Sequence, residues 1–260
     1  MHGSRVLALI AVGAVGGLLS GAFGVGGGII MVPLLMWLVR MDQRRAAATS
    51  LVAIVPGAIA GCIQYLVQGE VDVTAGLIVA AGGVAGSLVG TKLLRTLPLG
   101  WLRWLFIALL VLVAVRLFFE VPSREADLVF SPAVVIALVG VGVVMGIASG
   151  LFGIGGGVIL VPVLIAFFGL GDLLAKGTSL LAMIPTAVAG SASNLRAGMV
   201  RLSDGLIAGA AAVVASFGGV ALAFLLPPQV AVILFAVFIL IVVVQLVVRT
   251  LRTRPPGTRT

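Results

Sequence analysis

Ionisable and reactive side chains are scarce in this 260-residue chain, which has eight Asp and Glu, one His, one Tyr and one Cys. A single cysteine excludes an internal disulfide and a CxxC redox pair, and Cys62, inside an apolar segment, is expected to be an inert core residue. The acids are Asp42, Glu70, Asp72, Glu120, Glu125, Asp127, Asp172 and Asp204, all near segment ends or in loops, and the histidine is His2. A proton relay or a carboxylate sodium site at mid-membrane is therefore not expected, and neither is a metal or a cofactor. An intramembrane enzyme would need a nucleophile with a base, or a metal set, and the ingredients are lacking. Charged residues make up 9% of the chain, against about 25% in soluble domains, and hydrophobic residues 62%. A water-soluble fold is excluded.

The formal charge of +8 would suggest nucleic acid in a soluble protein. Here the basic residues sit at the ends of apolar segments, so they orient the chain in a bilayer, and no nucleic-acid partner is expected.

What the chain does have is a sentence written twice. SGAFGVGGGIIMVPLL (Ser20 to Leu35) returns 129 positions later as SGLFGIGGGVILVPVL (Ser149 to Leu164), with eleven of sixteen positions identical. The same offset superposes Thr49 to Gly61 on Thr178 to Gly190, with eight of thirteen identical. A duplicated apolar unit broken by glycines at corresponding positions is the pattern of a transporter built from two related halves around a central site.

Apolar runs divide the first half into Val6 to Ala22, Ile29 to Val39, Ala46 to Gln68, Val73 to Thr91 and Leu99 to Phe119. The second half copies them as Pro132 to Leu151, Val158 to Phe168, Ala175 to Leu195, Leu202 to Phe224 and Val230 to Val248. The first stretch could pass for a secretory signal. Its counterpart, Val134 to Gly150, lies mid-chain, so the first segment is expected to be a retained transmembrane helix. The second and seventh segments have eleven residues each, or roughly 16 Å of helix against a hydrocarbon core of about 30 Å. They cannot span alone unless the preceding glycines start well inside the membrane.

If all ten segments cross with the N-terminus inside, thirteen basic residues are cytoplasmic and only Arg116, Arg124 and Lys176 are outside. If the short segments are re-entrant, the count falls to nine against seven. The first arrangement carries the signal. Five crossings per half is odd, which predicts an all-α polytopic membrane protein of two inverted repeats with short broken helices after the glycine runs. The repeats occupy 1–119 and 132–249, joined by an external loop at 120–131 and followed by a basic cytoplasmic tail at 250–260.

Gly24, Gly26, Gly27 and Gly28 precede one short segment, and Gly153, Gly155, Gly156 and Gly157 the other. Such runs break a helix, bare its backbone, and leave the N–H groups and positive dipole end of the next helix at membrane depth, where an anion is the natural partner. The alternative is that the glycines only let helices pack closely. Neither run is followed by GK[ST], so a Walker A loop is absent.

Pro33 and Pro162 lie within the first turns of the short helices, and Pro56 and Pro185 deep in the third and eighth segments. There each frees a carbonyl, for a cavity or for a kink. Thr49 with Ser50, and Thr178 with Ser179, supply paired hydroxyls that could donate to an oxyanion or bond back to the helix. Gln64 and Tyr65 correspond to Ser193 and Asn194. An asymmetric substrate could be read at this divergence, unless Tyr65 anchors at the interface. Gly82, Gly86 and Gly90, echoed as Ala211, Ala215 and Gly219, form a stripe assigned to helix packing.

The doubled GxGGGxxxVPxL with its downstream TSL pairs, in a chain made of membrane segments, resembles the TauE/SafE family of bacterial sulfite exporters, the TSUP group, over Val6 to Val248. The resemblance implies a multi-pass inner-membrane protein moving small sulfur-containing anions such as sulfite or organosulfonates. An anion leaving the cell gains about 2.3 kcal/mol per charge for each 100 mV of inside-negative potential, so facilitated efflux needs no further coupling. A membrane scaffold or assembly subunit, with glycines serving only helix contacts, is the competing reading.

Overall fold

The computed structural model describes residues 2–98 and 130–227 continuously, together with scattered positions in 100–115 and 229–248. Eight helices are described in full: α1 (His2–Phe23), α2 (Gly28–Leu38), α3 (Gln43–Val67), α4 (Val73–Thr96), α5 (Pro132–Phe152), α6 (Gly157–Phe168), α7 (Asp172–Arg196) and α8 (Leu202–Leu225). Most of the fifth and tenth expected segments, residues 120–129 of the linker and the tail lie outside the described residues. Among the described residues six helices are long and apolar enough to cross a membrane, and α2 and α6 are the short apolar ones. The protein is a multi-pass, all-helical membrane protein.

Polar residues set where the helices begin. Asp42 accepts from the Arg45 N–H and so caps α3, Asp72 caps α4 through Ala75, and Ser131 caps α5 through Val134. The third and eighth segments consequently start about a turn earlier than their apolar runs, because Gln43 to Arg45 and Asp172 to Leu174 form the first turns.

Glycine decides which helices touch. Along α1, Gly13, Gly17 and Gly21 lie against the carbonyls of Ala208, Ala212 and Ser216 in α8. One repeat length later, Gly142, Gly146 and Gly150 of α5 lie against the carbonyls of Val79, Gly83 and Ser87 in α4. The expected packing stripe is part of these seams: Gly82, Gly86 and Gly90 abut Val139, Val143 and Ile147, and Gly219 abuts Leu18. A methyl group at any of these positions would overlap backbone, so small residues permit contact that larger ones forbid. Both seams join helices from different repeats, with residue numbers rising together, so each pair is parallel.

The central pair behaves differently. Gly61 of α3 faces Leu180 of α7, and Gly190 of α7 faces Leu51 of α3, so these two equivalent helices run in opposite directions. The ends of the molecule differ accordingly. Arg5, Arg40, Arg45 and Arg201 gather at one end, where Arg44 also bonds the Leu97 carbonyl. Glu70, Asp72, Asp172 and Lys176 gather around the start of α7 at the other end. Large apolar side chains such as Ile136 and Val214 are 73% and 74% exposed on the helix sides, a surface suited to lipid.

Candidate functional site

The two glycine runs meet. Gly24, Gly26 and Gly27 have φ of 66°, 76° and 67°, and Gly153, Gly155 and Gly156 have φ of 71°, 78° and 94°. L-residues there cost roughly 1–2 kcal/mol each, so only glycine lets the chain turn sharply from α1 into α2 and from α5 into α6. Gly28 sits on the Gly153 carbonyl and the Ile154 backbone, and Gly157 sits on the Gly24 carbonyl and the Val25 backbone. Gly27 returns to the level of Gly16, so α2 starts beside the middle of α1 rather than beyond its end. A short segment can therefore complete a traverse that its own length could not.

Serines lock this crossing across repeats. The Ser50 hydroxyl donates to the Gly153 carbonyl, and the Ser179 hydroxyl donates to the Gly24 carbonyl at 2.9 Å. One turn further along α3 and α7, Ile54 and Met183 lie against both Gly26 and Gly155. These two are again equivalents at the offset of 129, and both are fully enclosed. With Ile54 and Met183 in place, the glycines contact protein rather than open space. The helix N-termini at Gly27 and Gly156 have no side-chain caps, and the first N–H groups of a helix have no acceptor within it.

Of the residues singled out by sequence, the crossing unites Gly24, Gly26, Gly27, Gly28, Gly153, Gly155, Gly156 and Gly157 with Ser50 and Ser179. The others stand apart. Thr49 lines a cavity at the basic end. Thr178 accepts a 2.9 Å hydrogen bond from the Asp72 N–H. Pro56 packs on Gly209 of α8, and Pro185 is half-buried in α7. Asn194 is fully buried, and neither its amide nitrogen nor its amide oxygen has a partner among the described residues. Its counterpart Tyr65 is not an interfacial anchor: it is completely buried, donates to the Gly21 carbonyl at 2.8 Å and packs on Phe224 with ring centroids 5.7 Å apart.

Several contributors escape a reading of sequence alone. Ser20 and Ser149, which open the doubled motif, are buried, as is Ser191, and their hydroxyls and the Gln43 side-chain oxygen have no partner among the described residues. The identity of Ser20 and Ser149 within the repeated sentence was the available signal. Asp172 and Lys176 form a buried ion pair at 2.8 Å, both side chains under 5% exposed (3% and 4%). Their i,i+4 spacing was visible, but their burial was not.

Residues 1–117 and 136–260 match the model of the family described as sulfite exporter TauE/SafE. The probable membrane transporter protein YunE of Bacillus subtilis strain 168 is 26% identical over 215 residues, covering 74% of this chain and 79% of YunE. The probable membrane transporter protein YdhB of the same organism is 28% identical over 192 residues, 71% and 76% of the two chains. A probable membrane transporter protein of Xylella fastidiosa strain 9a5c is 31% identical over 182 residues, 68% and 69% of the two chains. No solved structure matches the chain.

Proposed function

The chain belongs to the sulfite exporter TauE/SafE family of membrane transporters, and from that membership we propose that it moves small sulfur-containing anions, sulfite or an organosulfonate, out across a bacterial cytoplasmic membrane. The observation that carries this reading is the pair of broken helices whose uncapped N-termini lie against each other, inside the protein, at the glycine crossing. Two such ends supply N–H donors and positive dipole ends. Ser50 and Ser179 add hydroxyls that can turn from the Gly153 and Gly24 carbonyls to an oxyanion when the helices part. Thr49 and Thr178 flank them, Pro56 and Pro185 loosen the helices that carry them, and Asn194 offers, on one side only, an amide with no partner among the described residues.

An inverted repeat with both termini in the cytoplasm fits the opposed directions of α3 and α7 and the gathering of arginines at one end. In this closed arrangement the Ile54 and Met183 side chains separate the two ends of the route. Opening on one side and then the other gives alternating access. No residue is assigned a catalytic role.

A second reading has an observation of its own. The glycines pack backbone on backbone, as a scaffold would also require. Charge movement decides between the two. Proteoliposomes on a solid-supported membrane, supplied in turn with sulfite, organosulfonates, sulfate and chloride, should give a saturable negative current with sulfite or the organosulfonates and little with sulfate or chloride. Folded protein that gives no current and no labelled-sulfite flux would favour the scaffold.

A further inference from the structure

The two ends of the molecule differ in charge at equivalent positions. At one end Arg5, Arg40, Arg45, Arg201 and Thr49 line a cavity of ≈ 300 Å³ that also takes in Asp42 and Asp204. A water occupies about 30 Å³, so this space holds a small oxyanion with part of its hydration shell. At the other end, Arg40 is replaced by Gly169 and Arg201 by Asp72. There Thr178, the counterpart of Thr49, is engaged by the Asp72 N–H, and Gly177 is pressed on the Glu70 carbonyl. One vestibule is cationic and holds a cavity that reaches Thr49. At the other, the equivalent threonine is already engaged by backbone, and an aspartate stands in the place of Arg201.

Within the open vestibule the charges do not cancel. Arg5 pairs with Asp204 at 2.6 Å and Arg45 with Asp42 at 3.5 Å. Arg40 and Arg201, both exposed, form no ion pair among the described residues, so two arginines of the cavity wall carry uncompensated charge. Arg40 is also the only described non-glycine residue with positive φ, at 58°. This is the left-handed turn that ends α2, closed by the Met41 N–H on the Leu35 carbonyl, and the counterpart Gly169 makes the same turn after α6 at φ 71°. An L-residue costs roughly 1–2 kcal/mol there, yet this end has arginine where the other has glycine. The cavity reaches Thr49, next in sequence to Ser50, whose hydroxyl holds the crossing.

We propose that Arg40 and Arg201, with Thr49 at the floor, form a capture site for a small oxyanion at the basic mouth of the transport route. The proposal rests on the transport reading above. Guanidinium forks match pairs of sulfonate or sulfite oxygens, and the hydroxyl supplies a further donor. Concentrated charge in a walled cleft raises local anion concentration and capture rate by about 10- to 1,000-fold. The polarity fits export, because anions gather at the mouth that positive-inside asymmetry places in the cytoplasm. An anionic phospholipid headgroup presents similar oxygens, so the test must separate the two sources.

The test compares wild type, Arg40→Asn/Arg201→Gln and Arg40→Lys/Arg201→Lys in phosphatidylcholine vesicles with and without phosphatidylglycerol, with sulfite-driven current as the readout. Asn tolerates the left-handed backbone at position 40. In the neutral pair, the half-saturating sulfite concentration should rise about tenfold from loss of steering, the maximal current should hold, and the sensitivity to ionic strength should shrink. The lysine pair should lie in between. A saturable wild-type current with unchanged half-saturation in the neutral pair would overturn the capture site and leave transport standing. An effect confined to vesicles containing phosphatidylglycerol would assign the arginines to lipid and also overturn it. Should wild type carry no current, sulfite titration calorimetry on the detergent-solubilised protein decides the site alone: binding lost in the neutral pair supports it, and binding unchanged by the substitutions, or absent from wild type, overturns it.

Discussion

Ser50 of one repeat holds the carbonyl of Gly153 in the other, and the relation is returned at 2.9 Å by Ser179 and Gly24. Each half thus ties down the broken helix of its partner, and neither glycine run can shift without freeing a carbonyl in a buried setting. The duplication is therefore joined at its most irregular backbone rather than merely side by side.

Removing one of these hydroxyls strands a buried carbonyl, at a cost of about 1–3 kcal/mol. Ser50→Ala and Ser179→Ala should each lower the unfolding midpoint in detergent. The double variant should deviate from additivity by 0.5 kcal/mol or roughly more, because the two bonds close one crossing. Additive losses would show the two locks to be independent.

The seam glycines should divide sharply from the others. Gly146 faces the Gly83 carbonyl at close range, whereas nothing lies within 4 Å of a methyl placed at Gly140. Gly146→Ala should abolish or strongly reduce the yield of folded protein. Gly140→Ala, on an exposed helical position, should gain up to about 1 kcal/mol from helix propensity. Size-exclusion yield and thermal melting compare the two.

The buried pair Asp172–Lys176 has a neutral counterpart inside the same chain, because Gln43 and Ala47 occupy the equivalent positions. Lys176→Ala alone strands a carboxylate and should destabilise by about 3–5 kcal/mol. Asp172→Gln with Lys176→Ala should recover most of the loss. Chemical denaturation of the three proteins checks the order.

Much of this arrangement could be seen in the residues themselves. The offset of 129 and the apolar runs foretold the eight described helices, and the shortness of the runs after Gly28 and Gly157 matched α2 and α6 closely. Two side chains found partners that the sequence did not announce. The fate of Tyr65 depends on a carbonyl 44 residues away, and that of Thr178 on an N–H 106 residues away. Local pattern contains no record of such distant partners. The sequence also pointed to the glycines as exposed backbone awaiting a ligand, whereas in this closed arrangement each run is covered by the other and by Ile54 and Met183.

Asn194 buries two polar atoms that have no partner among the described residues. If that penalty is kept for substrate recognition, Asn194→Leu should raise stability by about 1–3 kcal/mol through removal of unsatisfied groups at similar volume. It should also weaken anion transport severely. A stabilised variant with unaltered current would remove Asn194 from the route, and a destabilised one would mean that its amide has partners after all.

Met183 gives the most direct test of the crossing as a barrier, because its terminal methyl lies against both Gly26 and Gly155. Met→Ala in a core typically costs about 2–5 kcal/mol, and the space released here opens between two uncapped helix ends. Met183→Ala should therefore melt earlier yet pass sulfite faster at low driving force, with weaker discrimination against sulfate and chloride. Met183→Leu, which keeps the volume, should restore both stability and selectivity. If Met183→Ala instead loses stability while its current and anion selectivity stay at wild-type values, the route does not run between the glycine runs, and their contact serves assembly alone.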